Sequence, residues 1–279
     1  PRTQGVFEPL SNMGPLNSFM GTGQQLIDAA VRPEIMEMAE NLRKAHKASN
    51  DWAQVTGECV QACREMGYPA MGGSGGLAPF DTVADMLRGT HGSVIDMFRR
   101  PEQIMELCER ILPVTLETAI KGGEMFDCPL LFIPMHKGDD VFMSDKQFEK
   151  FYWPTFKQLM LNIIEEGLIP APFAEGAYTQ RLNHLTELPK ASVLWFFDRT
   201  DMHKAKDILG GHSPIMGNVP ITMIATGTAD QVKACCKDLI DYVGKDGGYI
   251  LCSGTQLDDA QEETVRAMID FTKEYGFYK

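Results

Sequence analysis

The chain predicts an α/β fold, a (β/α)8 barrel, and three observations carry that expectation. From Tyr68 onward, short apolar runs alternate with long amphipathic segments, the pattern of parallel strands joined by helices. No Gly-x-Gly-x-x-Gly turn follows a first strand, which disfavours an open, doubly wound sheet. Titratable and polar residues directly follow the apolar runs, at the strand ends where a barrel keeps its chemistry.

The elements follow in order. Residues 1–32 are rich in Gly, Pro, Asn and Met and read as an irregular lead-in to a single domain spanning 1–279. Pro33 suits the first turn of a helix running to Lys47. A second helix is expected over Asp51–Met66, ending at Gly67. The candidate strands are Tyr68–Gly72, Leu130–Met135, Ile169–Phe173, Val193–Phe197, Pro214–Gly217 and Gly248–Cys252. Helical patterns cover Asp81–Arg88, Pro101–Lys121, Ser144–Glu166, Tyr178–Leu188, Asp201–Leu209, Thr228–Gly244 and Asp259–Tyr275. Ser144 and Thr228 each precede a Gln by three residues, the spacing of a capping box. Six candidate strands fall short of the eight of a closed barrel. With a start at Pro1 rather than methionine, one or two strands are expected upstream of this chain or from elsewhere.

Composition narrows the class. Hydrophobic residues make up 44% of the chain and charged residues 23%, as in ordinary globular proteins. No apolar run reaches the roughly 18–20 residues of a membrane span. A net charge of −12 argues against nucleic acid or an anionic membrane as partner. The seven scattered cysteines form no disulfide framework, which points to a reducing, cytoplasmic compartment. Gly72-Gly-Ser-Gly-Gly76 lacks the Lys-Ser/Thr of a phosphate loop and reads as close backbone packing or a mobile loop.

The stretch Ile169-Pro-Ala-Pro-Phe-Ala-Glu-Gly-Ala-Tyr178 is the most pointed: a short strand that stops at a carboxylate, Glu175. A helix start at Tyr178 would also make Glu175 a helix cap. Other strand ends offer His136, Asp139 and Asp140, then Asp198 and Asp201, then Asn218, then Cys252. If the barrel holds, they converge on one rim. Glu175, His136 and Asp139 are the candidate catalytic groups; Phe173, Tyr178, Asp198, Asn218 and Cys252 are candidate substrate contacts. Glu175, His136 and Cys252 are also candidate metal ligands, although no ligand pair has diagnostic spacing. Asp201 reads equally as a plain N-cap, and Cys252 as a core thiol. Trp195 and Phe196 cannot both face inward on one strand.

Several motifs carry a resemblance. They are Gly75-Gly-Leu-Ala-Pro-Phe80, Met86-Leu-Arg-Gly89, Phe142-Met-Ser-Asp-Lys-Gln-Phe148, Met216-Gly-Asn-Val-Pro220, Gly247-Gly-Tyr-Ile250 and the closing Glu263-Thr-Val-Arg-Ala-Met-Ile269. In that order and spacing the chain resembles the uroporphyrinogen decarboxylase superfamily from about Gly67 to its end. The resemblance implies a (β/α)8 barrel. It implies either decarboxylation in tetrapyrrole synthesis or methyl transfer to and from corrinoid proteins, zinc-dependent in the thiol branch. The decarboxylase's Gly-His-Gly falls where this chain has Cys252-Ser-Gly-Thr255. The thiol methyltransferases' His-x-Cys-Gly falls where it reads Phe173-Ala-Glu-Gly176, and their third ligand falls near Thr255.

What the resemblance then implies is the branch that demethylates small methylated or methoxylated compounds onto a corrinoid (cobalamin) held by a partner protein, with a homodimer among the expected assemblies. Glu175 is expected as a buried acid of raised pKa, or as a metal ligand, with the proton the preferred role. The alternatives are a decarboxylase of porphyrinogens or smaller acids, and a binding barrel without chemistry.

Overall fold

The computed structural model describes residues 27–68, 76–126 and 128–277. Where the sequence reads as one domain, the contacts fall into two units, Pro1–Pro69 and Ala70–Lys279. In the first, one long helix, α1, runs unbroken over Pro33–Glu65 with Pro33 in its first turn and Gly67 (φ +80°) just past its end. The break expected near Ser49 is not there. No Pro or Gly interrupts 48–50, and side-chain bonds step across it, Lys47 to Asp51 at 2.6 Å and Asn50 to His46 at 3.1 Å.

The second unit is built on five parallel strands: β1 (Leu130–Met135), β2 (Ile169–Ala174), β3 (Trp195–Phe197), β4 (Ile215–Met216) and β5 (Tyr249–Ile250). Their order in the sheet is their order in the chain. A doubly wound sheet reverses strand order at a switch point, whereas a barrel adds each strand beside the last. The five strands are therefore an arc of a (β/α)8 barrel. The strand expected at Tyr68–Gly72 lies, beyond Tyr68, outside the described residues.

The helices of this unit include α2 (Thr90–Arg99), α3 (Pro101–Phe126), α4 (Trp153–Glu165), α5 (Met202–Leu209), α6 (Ala229–Asp238) and α7 (Glu262–Tyr275), of which α3, α4 and α5 pack against β1, β2 and β4. Both capping boxes form, at Ser144 and Thr228, and Asp201 caps α5 by accepting the Lys204 N–H. Two expectations change. The helix α2 was masked in the sequence by Gly92 and its polar first turn. The helix expected over Tyr178–Leu188 shrinks to Leu182–Leu185. A helix starting at Tyr178 would need the Ala177 carbonyl for its first bond, and that carbonyl is taken by the Asp140 N–H.

Strand alternation sorts side chains between two faces. Leu131, Ile133 and Met135 point outward and are fully buried under the helices with Trp195 and Phe197. The concave face carries a smaller cluster of Ala171, Leu194 and Met216, packed with Leu130, Phe196 and Cys252. Trp195 and Phe196 thus lie on opposite faces, with Phe196 inward. The sheet register aligns Pro134, Phe173, Phe196, Met216 and Ile250 in one row across all five strands. Two residues further along each strand stand His136, Glu175, Asp198, Asn218 and Cys252. An isolated bridge from Val219 to Ser253 keeps that alignment for the last two. An apolar row is followed by a polar one at the C-terminal rim.

Candidate functional site

The rim site starts from two carboxylates on the segment before α2. Pro79–Asp81 forms one helical turn that continues as a wide, π-type turn over Thr82–Leu87. Asp81 and Asp85 are four residues apart and face the end of β1. Asp85 Oδ2 lies 2.6 Å from His136 Nδ1, and Asp85 Oδ1 lies 3.0 Å from Lys137 Nζ. The other imidazole nitrogen of His136 points to Glu175, Nε2 to Oε2 at 3.7 Å. Asp85, His136 and Glu175 therefore form a line from the barrel wall to its mouth. Burial works to raise the Asp85 carboxyl, but bonds from His136 and Lys137 outweigh it, and the net shift is downward. Asp85 is then a stable anion that orients the ring.

Asp81 lies beneath this line and is fully buried. Its carboxylate accepts the backbone N–H groups of His136 and Lys137, each at 2.9 Å, and the Tyr152 hydroxyl at 2.7 Å. Desolvation nonetheless wins over these bonds and pushes Asp81 up from 3.8 to about 6. Burial also raises Tyr152 and Tyr178 well above the usual tyrosine value.

The line opens into a groove of about 680 Å³ walled by Thr90, Val94, His136, Lys137, Asp139, Val141, Phe142, Glu175, Gly176 and Arg199. A larger cavity of about 1010 Å³ lies around Lys245, Tyr249 and Tyr275. It sits at the N-terminal end of β5, the face that barrels keep for stability rather than catalysis.

The remaining expected residues divide into contacts and supports. Glu175 is not buried: its side chain is 51% exposed, because the chain leaves the sheet at Ala174 and turns at once through Gly176. The buried carboxylate expected at Glu175 is found instead at Asp81. Gly176 has φ +98°, and a Cβ there would meet Asp139 Oδ2 at 2.7 Å, so only glycine lets the two loops approach. Asp198 holds that turn by accepting the Gly176 N–H at 3.0 Å. Asp139 accepts the Phe142 N–H at 2.7 Å and forms groove wall. Phe173 lies on the concave face between Phe132 and Phe196, with ring centroids 5.7 and 4.5 Å away.

Tyr178 does not face the groove. It is fully buried, its hydroxyl donates to the Met135 carbonyl at 2.8 Å, and it ties two strand ends together. Asn218 donates to the Thr200 carbonyl at 2.8 Å, another tie between neighbouring loops. Cys252 donates its thiol proton to the Ser253 carbonyl, and burial pushes the thiol up to about 12.

Catalytic zinc takes three protein ligands. His136 Nε2 and Glu175 supply two at the groove, and Cys252 does not join them. Among the described residues the one three-membered cluster of ligand type is Asp145, Glu149 and His184. Asp145 there is already paired with Arg181 at 2.8 Å. The groove residues do not fit the zinc site that the resemblance implied.

Three important residues escape the strand-end reading: Asp81, Asp85 and Arg181. The two carboxylates interrupt an apolar stretch, Ala78-Pro-Phe-Asp-Thr-Val-Ala-Asp-Met-Leu87, at one-turn spacing, and that was the available signal. Arg181 had none. Its side chain is 1% exposed, and it binds the carbonyls of Gly138 and Met143 while its guanidinium lies 4.9 Å from the Phe148 ring centre. It shapes the loop that carries Asp139.

Fold and rim together define a (β/α)8 barrel with acid and base groups at the C-terminal ends of its strands. The chain matches the uroporphyrinogen decarboxylase (URO-D) family over residues 19–275 and belongs to it. Among solved structures it is similar to a methyltransferase from Methanosarcina mazei, with a TM-score of 0.58 and 14% identity. That match covers 71% of this chain and 57% of the other, so this chain spans little more than half of that structure's length. At such identity the likeness is one of fold. No curated protein matches the chain. Among the described residues no helix is long and apolar enough to cross a membrane.

Proposed function

We propose that this barrel is a methyltransferase that moves a methyl group from a small methylated compound to a corrinoid held by a partner protein. The observation that carries the reading is the Asp85–His136–Glu175 line, which ends in a half-exposed acid at the mouth of the groove. When a methyl group leaves as an electrophile, the electron pair of its bond stays on the heteroatom, which must then be protonated. Glu175 is placed to give that proton, with His136 beside it to resupply it and Asp85 to hold the imidazole in register. Proton transfer of this kind contributes on the order of 10²–10⁴-fold. A reduced corrinoid, when docked, supplies the nucleophile that accepts the methyl group.

The groove supports the rest. Val141 on its wall is 86% exposed, which suits an approaching partner. Phe173 and Phe196 on the concave face offer an apolar seat for a substrate body. Decarboxylation of a polyanion is less well served. Among the groove's cations Lys137 is paired with Asp85, Arg199 lies 3.4 Å from Asp198, and Asp139 and Glu175 add negative charge.

The test mixes the purified chain with a reduced corrinoid protein and a panel of methyl ethers and methylamines, and follows the visible spectrum. Methyl transfer changes it. No change across the panel, or carbon dioxide released from uroporphyrinogen without any cofactor, overturns the reading.

A further inference from the structure

We propose that Asp81 is the positioning residue of the rim: its ionised carboxylate clamps the backbone at His136 and Lys137 and thereby aims the His136 ring between Asp85 and Glu175. This inference rests on reading the groove as the working site, but its structural content can be measured without any activity.

The geometry is specific. Three donors converge on one buried carboxylate: two consecutive backbone N–H groups at the end of β1 and the hydroxyl of Tyr152. No regular sheet bond fixes His136, which is past the last residue of β1. Asp81 is what replaces the ladder there. A carboxylate accepts all three bonds, whereas a protonated acid turns one oxygen into a donor, which the Tyr152 hydroxyl can accept but the two backbone N–H groups cannot. Protonation therefore weakens the clamp, because the backbone N–H groups lose a charged acceptor. Among the described residues, the titratable side chains facing Asp81 are Asp85 from its own segment, Cys108 from α3, His136 after β1, Tyr152 before α4, and Tyr178 after β2. Only His136 among them can bring positive charge, and Asp85 brings negative charge. Desolvation leaves the carboxylate titrating near 6. The clamp therefore holds above that pH and slackens below it. A residue serving stability alone has no reason to be kept ionised in so dry a place.

The test is hydrogen exchange of the full chain from pH 5 to pH 8, expressed as protection factors for the His136 and Lys137 amides. In the unaltered chain their protection falls about tenfold or more below about pH 6, the factor for losing a hydrogen bond to a charged group. Asp81→Asn shows the low protection at every pH, and lowers kcat with KM little changed. Glu175→Gln loses turnover yet keeps the exchange pattern of the unaltered chain, which separates failure of the clamp from failure of the proposed chemistry. Tyr152→Phe removes one donor and moves the transition to higher pH; it carries the test if Asp81→Asn does not fold. Protection unchanged down to pH 5, or a Tyr152→Phe curve that superimposes on the unaltered one, overturns the proposal.

Discussion

Asp81 makes a quantitative prediction about stability. The perturbation is its titration, and Asp81→Asn removes it. Burial raises this carboxyl from 3.8 to about 6 in the folded chain, so the folded state keeps the proton to a higher pH than the unfolded state does. The associated stabilisation is complete below about pH 4 and is lost as pH rises through about 6. At ~1.4 kcal/mol per pH unit, that rise makes about 3 kcal/mol. No discount for solvent screening applies, since Asp81 is fully buried. The assay is urea unfolding at several pH values between 4 and 7.5 for both proteins at one ionic strength. Relative to Asp81→Asn, the unaltered chain loses about 3 kcal/mol across that range. Other carboxyls titrate too, but they do so in both proteins and cancel. Two parallel stability curves would refute the reasoning, because they would mean that the folded chain does not shift this proton.

Further outcomes follow from the same geometry. Glu175→Gln should lower turnover by about 10²–10⁴-fold while moving the unfolding midpoint little, since the side chain is half exposed. Asp85→Asn should depress kcat without abolishing fold, and a ring-nitrogen NMR signal from His136 should lose its hydrogen-bonded character with it. Gly176→Ala, which puts a Cβ against Asp139 at positive φ, should destabilise by about 1–3 kcal/mol and widen the groove, read by thermal unfolding and KM together. Arg181→Met leaves the carbonyls of Gly138, Asp139 and Met143 without this donor, and should cost about 3 kcal/mol or more in urea unfolding.

Much of this arrangement was written in local pattern. The apolar runs at Leu130–Met135 and Ile169–Phe173 became strands almost residue for residue, because β-branched, aromatic and proline-rich stretches bounded by polar breaks have few other solutions. The capping boxes at Ser144 and Thr228 formed because their bonds are local. The polar row His136, Glu175, Asp198, Asn218 and Cys252 was legible for the same reason: period-2 alternation carries each strand's last inward residue to the rim.

What escaped depends on distance along the chain. The bond between Asp85 and His136 spans 51 residues, and the bond between Asp81 and Tyr152 spans 71. No spacing rule links residues so far apart. Tyr178 and Asn218 looked like groove residues, yet backbone carbonyls from neighbouring loops claimed them, and only the packed structure shows which donor finds which acceptor. Glu175 was expected in a dry pocket. Position at a strand end does not set burial, and the turn at Gly176 sends it toward solvent.

The most direct measurement of the central claim is the visible spectrum of a reduced corrinoid protein mixed with this chain and a methylated substrate, run side by side with Glu175→Gln. The account predicts a spectral shift to the methylated form with the unaltered chain, slowed by on the order of 100-fold or more in the variant. A shift at equal rates in both proteins would contradict it, because Glu175 would then supply no proton to the leaving group.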